Sequence, residues 1–261
     1  MTRFWAELRA PEFSGLAPET IVILPVGSAE QHGPHLPLNT DFVVADSLAR
    51  DVTAAYGDDL GLLLLPSLAV SKSNEHAWSP GTLWLSAATL LAVLDDIARC
   101  VATTPARKLV FLNGHGGNSA LLQVASRDVR LAHGLQTFVM HPSVPPDHGG
   151  PSRADELGLG IHAGLEETSV MLHLRPDLVR LELSRRSVPE HLAAFQRVRF
   201  GGQVSFGWLS DDFGTDGSLG DPTGATADYG KRKYESMITT AAQSLAEIAR
   251  FDPRPPGDRL R

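Results

Sequence analysis

One cysteine, Cys100, is present in 261 residues. No disulfide can form within the chain, so the fold must rest on its core, and a reducing compartment is permitted. No apolar run approaches the ~20 residues that a membrane-spanning helix needs. The opening residues Met1-Thr2-Arg3-Phe4-Trp5-Ala6-Glu7 lack the charged-then-apolar pattern of an export signal. A cytoplasmic location is expected. Positive charge is also in deficit: the net charge of −7 argues against nucleic acid or an anionic membrane as a partner. Several catalytic signatures are missing. There is no Gly-x-Ser-x-Gly elbow and no His-Glu-x-x-His pair, which disfavours α/β-hydrolase and zincin chemistry. The dinucleotide pattern Gly-x-Gly-x-x-Gly fails after Gly114 because position 119 is Ser. The looser match Gly158-Leu159-Gly160-Ile161-His162-Ala163 follows polar Ala154-Asp155-Glu156 where a strand is required.

What remains is an ordinary globular composition, 43% hydrophobic and 20% charged, in a chain long enough for a sizeable core. Apolar β-type runs at Ile21–Val26, Leu60–Val70, Lys108–Leu112 and Gln136–His141 read as buried strands. Helical spacing marks 41–55 (with Thr40 as its N-cap), 86–103, 119–131, a helix starting after His162, and 228–250. Strands alternating with helices imply an α/β fold, a three-layer αβα sandwich around a mostly parallel sheet. One domain is expected over residues 1–251, with 252–261 as a loose tail. Residues 142–160 read as a surface excursion, and 177–226 show no legible period.

The chemistry concentrates where strands end. Glu30-Gln31-His32-Gly33-Pro34-His35-Leu36-Pro37-Leu38-Asn39-Thr40-Asp41 follows the first strand, and its Gly and Pro residues forbid a helix through it. Glu30 and His32 are two apart and face one side of extended backbone. Asp41 either ligates a metal or complements a helix N-terminus. His115 lies in the glycine-bracketed turn after the third strand, where Asn118 either caps the next helix or binds substrate. His162, Glu166 and Glu167 open a helix, and at most one of the two acids can aim at a given site. Glu75-His76 form a further, weaker pair, and Trp78 is either a pocket wall or a core residue. Three carboxylates with two or three histidines and no cysteine suit Zn²⁺, Mn²⁺ or Fe²⁺.

The run Leu24-Pro25-Val26-Gly27-Ser28-x-Glu30-Gln31-His32-Gly33-Pro34-His35-Leu36-Pro37 with Asp41 resembles the signature of the creatininase (creatinine amidohydrolase) family. The resemblance continues in Glu75-His76 with Pro80-Gly81-Thr82, in Asn113-Gly114-His115-Gly116-Gly117-Asn118, in His162-Ala163-Gly164-x-x-Glu167-Thr168-Ser169, and in Gly220-Asp221-Pro222. It implies an α/β sandwich, a homo-oligomer (a hexamer), and two divalent ions per chain. Glu30, Asp41 and His115 would hold one ion, and His32, Asp41 and Glu167 the other. His35 would shape the loop without binding metal. A metal-bridging hydroxide would attack the carbonyl of a small amide, cyclic amide or formamide, with His162 and Glu167 as catalytic residues and His162 protonating the leaving nitrogen. Glu75, His76, Trp78 and Asn118 would meet the substrate. Creatininase proper carries a glutamate where this chain has Gly117, which points to another branch. The alternatives are a peptidase trimming a short precursor of mycofactocin type and a metal-binding protein without turnover.

Overall fold

The computed structural model describes residues 2–144, 146–151 and 153–254. Four strands, β1 (Ile21–Val26), β2 (Leu62–Leu64), β3 (Lys108–Asn113) and β4 (Gln136–Met140), form one wholly parallel sheet in the order β2-β1-β3-β4. Helices α1 (Thr40–Leu60), α2 (Ala87–Ala102), α3 (Ser119–His133), α4 (Leu165–Leu174) and α5 (Ala227–Arg250) cover it. Alternate residues of a strand face opposite ways, so each strand feeds two cores. Val22, Leu24, Leu109 and Phe111 pack with Leu90, Leu94, Leu122 and Val129 of α2 and α3. Ile21, Ile23, Val110 and Leu112 pack with Leu48, Val52, Val170, Met237 and Leu245 of α1, α4 and α5. The expected three-layer arrangement is therefore present.

Local details differ from the sequence reading. The run 60–70 contributes only three strand residues. Leu60 still belongs to α1, which Gly61 ends in the left-handed region (φ 64°), and Pro66 has no N–H for the ladder. Asn39, not Thr40, is the N-cap of α1. Thr40 Oγ1 instead donates to Pro37 O at 2.8 Å. α2 and α5 do carry side-chain caps: Thr89 N–H donates to Ser86 Oγ and Tyr229 N–H to Thr226 Oγ1, each at 3.2 Å. Residues 177–226 form short turns and single bridges, His162 to Leu219 and Ser187 to Gly220. They are held by packing among Phe200, Phe206, Trp208 and Phe213. Of the expected tail, residues 255–261 lie outside the described residues. Among the described residues, no helix is long and apolar enough to cross a membrane.

The connection from β1 runs to β2 on one side and the chain then crosses to β3 on the other. The carboxyl ends of β1 and β3 thus flank the point where the order reverses, where open α/β sheets leave a crevice. The loops after β1 and β3 meet there. α1 starts directly above them, because a β-carbon on Gly114 would stand 2.8 Å from both Asp41 O and Ala45 Cβ.

Candidate metal centre

Five expected ligands converge at this crevice. Glu30, four residues past β1, is fully buried and receives a hydrogen bond on Oε2 from Ser28 Oγ at 3.0 Å. Asp41 sits in the first turn of α1, where the helix dipole favours its charge. His115 Nδ1 lies 3.1 Å from Asp41 Oδ2, and its Nε2 lies 3.2 Å from Glu30 Oε2. His32 donates from Nδ1 to Glu30 O at 3.1 Å, which leaves Nε2 facing Asp41 Oδ1 at 3.1 Å. Glu167 reaches in from the first turn of α4, its Oε2 accepting the Ala163 N–H at 2.5 Å. Ala163 itself adopts φ 56°, a strained conformation for a residue with a β-carbon. Candidate ligand atoms of Glu30, Asp41 and His115 lie within 4.8 Å of one another, as do those of His32, Asp41 and Glu167. A third trio joins Glu30, His32 and His162.

Electrostatics follow from packing opposite charges without solvent. Burial lowers the affinity of His32 for its proton, but the Asp41 carboxylate outweighs this, and the pKa rises to about 9. His115 is raised well above its ordinary value, against burial, by Glu30 and Asp41. Asp41 would be raised by burial, yet His32 and His115 hold it below the usual carboxylate range. Burial lifts Glu167 to about 7. His76 and His162 go the other way: burial lowers His76 to about 3 and His162 well below its ordinary value.

The donor set fits divalent cations. Glu30 Oε1 and Asp41 Oδ2 are buried and accept no hydrogen bond among the described residues, although His76 Nε2 and His115 Nδ1 lie 3.3 and 3.1 Å away. Buried anionic oxygens without a hydrogen bond are costly unless a cation satisfies them. Three carboxylates and two imidazoles without thiolate are the hard-to-borderline mixture that Zn²⁺, Mn²⁺ or Fe²⁺ accept.

Around these trios lies a second ring of side chains. Glu75 Oε1 is 3.2 Å from His115 Nε2, and Lys72 Nζ holds its Oε2 at 3.0 Å. The rings of His32, His162 and His76 lie in series, the first pair tilted with centroids 4.3 Å apart and the second stacked at 4.4 Å. His35 Nε2 contacts Thr168 Oγ1 at 3.0 Å, next in sequence to Glu167, and His35 belongs to none of the candidate ligand trios. A cavity of about 190 Å³ opens from Asp41, Glu75, His76, His115, His162 and Glu167 onto an apolar wall of Val44, Ile161, Leu165, Val170, Trp208 and Met237.

Two expected substrate contacts stand elsewhere. Trp78 is not among the cavity residues; its Nε1 donates to Ser210 Oγ at 2.6 Å. Asn118 occupies the N-cap position of α3 but braces loops: its amide donates to Ser71 Oγ and Asn113 Oδ1 and accepts the Lys72 N–H. Trp208 is the tryptophan that lines the cavity. Nothing in the sequence singled it out, because it lies in the stretch without periodicity. Gln31, hidden between two candidate ligands, was also missed, although its place inside the motif was a signal.

The family described as creatinine amidohydrolase matches residues 6–245. A mycofactocin precursor peptide peptidase of Mycobacterium ulcerans is 36% identical over 242 residues, covering 90% of this chain and 87% of the relative. A creatinine amidohydrolase of Pseudomonas putida is 35% identical over 195 residues, covering 68% and 72%. A solved mutant creatininase of Zn–Zn type has a TM-score of 0.72 at 26% identity, covering 96% of this chain and 100% of that one.

Proposed function

Because the chain belongs to the creatininase family and is a hydrolase, we propose that it uses two divalent ions to cleave an amide C–N bond in a short peptide precursor. The observation that carries this reading is the pair of candidate ligand trios sharing Asp41, one wholly buried and the other buried but for half-buried Glu167. Glu30, Asp41 and His115 would hold one ion, and His32, Asp41 and Glu167 the other. When bound, such a pair activates water and polarises a carbonyl.

The chain's own residues do the rest. Glu30, His32, Asp41 and His115 are buried and Glu167 is half-buried at the cavity wall, which limits the access of bulk water to the reacting groups. His162 lines the cavity with Nε2 against Gln31 O at 2.7 Å, so Nε2 carries the proton and Nδ1 is free. Nδ1 therefore takes the proton that the attacking water gives up and returns it to the leaving nitrogen as the C–N bond breaks, a refinement of the simple donor expected from sequence. Trp208 and the aliphatic wall suit an apolar side chain beside the scissile amide.

Two observations favour a peptide over a formamide. The cavity, about 190 Å³, is many times the roughly 10–15 Å³ that one water requires on that measure. The Mycobacterium ulcerans relative, named a peptide peptidase, matches 90% of this chain. A small cyclic amide or formamide is the second reading, supported by the relative named creatinine amidohydrolase.

The test assays stripped and zinc- or manganese-reloaded protein on short peptides, lactams and formamides, with Asp41→Ala alongside. Metal-dependent release of a short fragment is expected, and Asp41→Ala should abolish it. Turnover of lactams alone selects the second reading. Undiminished hydrolysis by Asp41→Ala overturns the two-metal site. Two bound metals per chain without turnover of any amide would mark a binding protein.

A further inference from the structure

We infer that Gln31 is a positioning residue that fixes which face of two cavity imidazoles carries a proton, giving the site an inward N–H at His76 and an inward lone pair at His162. This rests on the reading of the cavity as an amide-cleaving site.

The argument begins with the Gln31 amide, whose orientation its backbone partners dictate. Oε1 accepts the Gly33 N–H at 2.9 Å, and Nε2 donates to Gly217 O at 2.9 Å. An amide turned the other way would set N–H against N–H and C=O against C=O. One proton of Nε2 remains, and His76 Nδ1 is 2.7 Å away. Nδ1 must then be bare, and the proton of a neutral His76 ring resides on Nε2. That atom points inward, 3.3 Å from Glu30 Oε1.

Ser210 Oγ also lies near His76 Nδ1, at 2.9 Å. It already accepts from Trp78 Nε1 and can send its own proton to His76 Nδ1 or to Glu75 O. Ser210 therefore tolerates either tautomer. Gln31 does not.

The same residue orients the second ring through its backbone. His162 Nε2 is 2.7 Å from Gln31 O, so Nε2 is the protonated nitrogen. The 3.3 Å contact between His162 Nε2 and Gln31 Nε2 brings two donors side by side and adds no bond. His162 Nδ1 faces inward, 3.8 Å from Glu30 Oε1. Both rings thus hold their proton on Nε2, but they turn opposite edges to the cavity. With centroids 4.4 Å apart, they offer one donor and one acceptor side by side. A proton can be accepted at His162 Nδ1 while His76 Nε2–H meets negative charge developing on the substrate.

The experiment uses full-length protein labelled with ¹⁵N-histidine, metal-free and zinc-loaded, with His76 and His162 signals assigned from His76→Gln and His162→Gln. Wild type should show Nε2 protonated and Nδ1 bare on both rings. Gln31→Glu places a carboxylate oxygen against His76 Nδ1. That variant should move the His76 Nδ1 signal to the protonated position while zinc stoichiometry holds. Its kcat should fall about 100-fold, the scale of general acid–base catalysis, with KM nearly unchanged. Gln31→Met removes the donor without reversing it and should leave His76 a mixture of tautomers.

A protonated Nδ1 on His76 in wild type overturns the inference, as does a Gln31→Glu His76 signal that does not move. So does full kcat in a variant whose tautomer has switched. If Gln31→Glu does not fold, wild type and Gln31→Met decide. The tautomer measurement needs no substrate. Absence of turnover by wild type would sink the proposed function and leave the tautomer result standing.

Discussion

Glu75 occupies the space that a side chain at position 117 would need: a β-carbon on Gly117 would overlap both Glu75 Oε1 and His115 Nε2. The carboxylate next to His115 therefore comes from the loop after β2, and the loop after β3 must supply glycine.

The two positions are therefore coupled. Gly117→Ala should destabilise the protein by about 1–3 kcal/mol, the usual range for overpacking, and should lower zinc affinity by turning His115. Glu75→Ala alone should weaken zinc binding by about 10–100-fold, as loss of a partner behind a ligand does. The double variant Glu75→Ala/Gly117→Glu should bind zinc better than either Glu75→Ala or Gly117→Glu. Urea unfolding and zinc titration against a chelator measure the cycle. Additive losses would show that the sites do not share this space.

Protons stand where metal would bind, and the sign of the pH dependence follows. His32 is raised to about 9, Glu167 to about 7, and His115 also upward. A group whose pKa rises on folding stabilises the fold below its unfolded value and loses that contribution as pH climbs through the folded value. Metal-free protein should lose thermal stability as pH climbs from 6.5 to about 9 through His32, with His115 acting in the same direction, while the loss from Glu167 falls lower, between 4.5 and about 7. The lowered histidines His35, His76 and His162 act below their ordinary pKa of 6.5 and stay out of this window. Metal needs the same atoms bare, so zinc affinity should rise over that range, and uptake near pH 7 should release about two protons per chain. Melting curves with chelator and calorimetry in two buffers read both effects.

Gly230 lets α5 lie against α4, because a β-carbon there would overlap Ser169 O and Ser169 C. Gly230→Ala should force the helices apart and destabilise by about 1–3 kcal/mol, outweighing the gain in helix propensity of roughly 1 kcal/mol. Because α4 carries Glu167, metal stoichiometry should fall along with the denaturation midpoint. A variant as stable as wild type would place the contact elsewhere.

Trp208 walls the cavity and meets His76 edge-on, with centroids 6.5 Å apart. Trp208→Ala should raise KM for an apolar peptide by about tenfold, in line with losing part of a buried aromatic contact. Zinc content should not change. Steady-state kinetics on paired substrates with and without the apolar side chain separate this from a general loss of kcat.

Much of this architecture was legible in the sequence. Ile21–Val26 and Lys108–Leu112 stand out as strands because they are buried on both faces and need no alternation. Glu30, His32, Asp41, His115 and Glu167 could be read as candidates because each follows a strand or opens a helix, where rigid backbone aims the side chain, and the structure brings all five together. What the sequence left undecided has physical reasons too. Asn118 and Trp78 carry the same signal whether they brace a loop or meet a ligand, and only their partners distinguish the cases. Trp208 and Ser210 lie where aromatic packing and side-chain hydrogen bonds, not a backbone ladder, set the conformation, so no period betrays them.

Asp41 belongs to both ligand trios, one carboxylate oxygen toward His115 and the other toward His32. Two ions sharing that carboxylate cannot bind independently. In the proposed two-ion site, the first to arrive would engage charge that the second also needs. Whatever factor the first ion imposes on the affinity of the second, the second imposes on the first by thermodynamic reciprocity. Metal content should then follow a two-step isotherm, and a substitution at His32 should be felt by the ion that His115 holds.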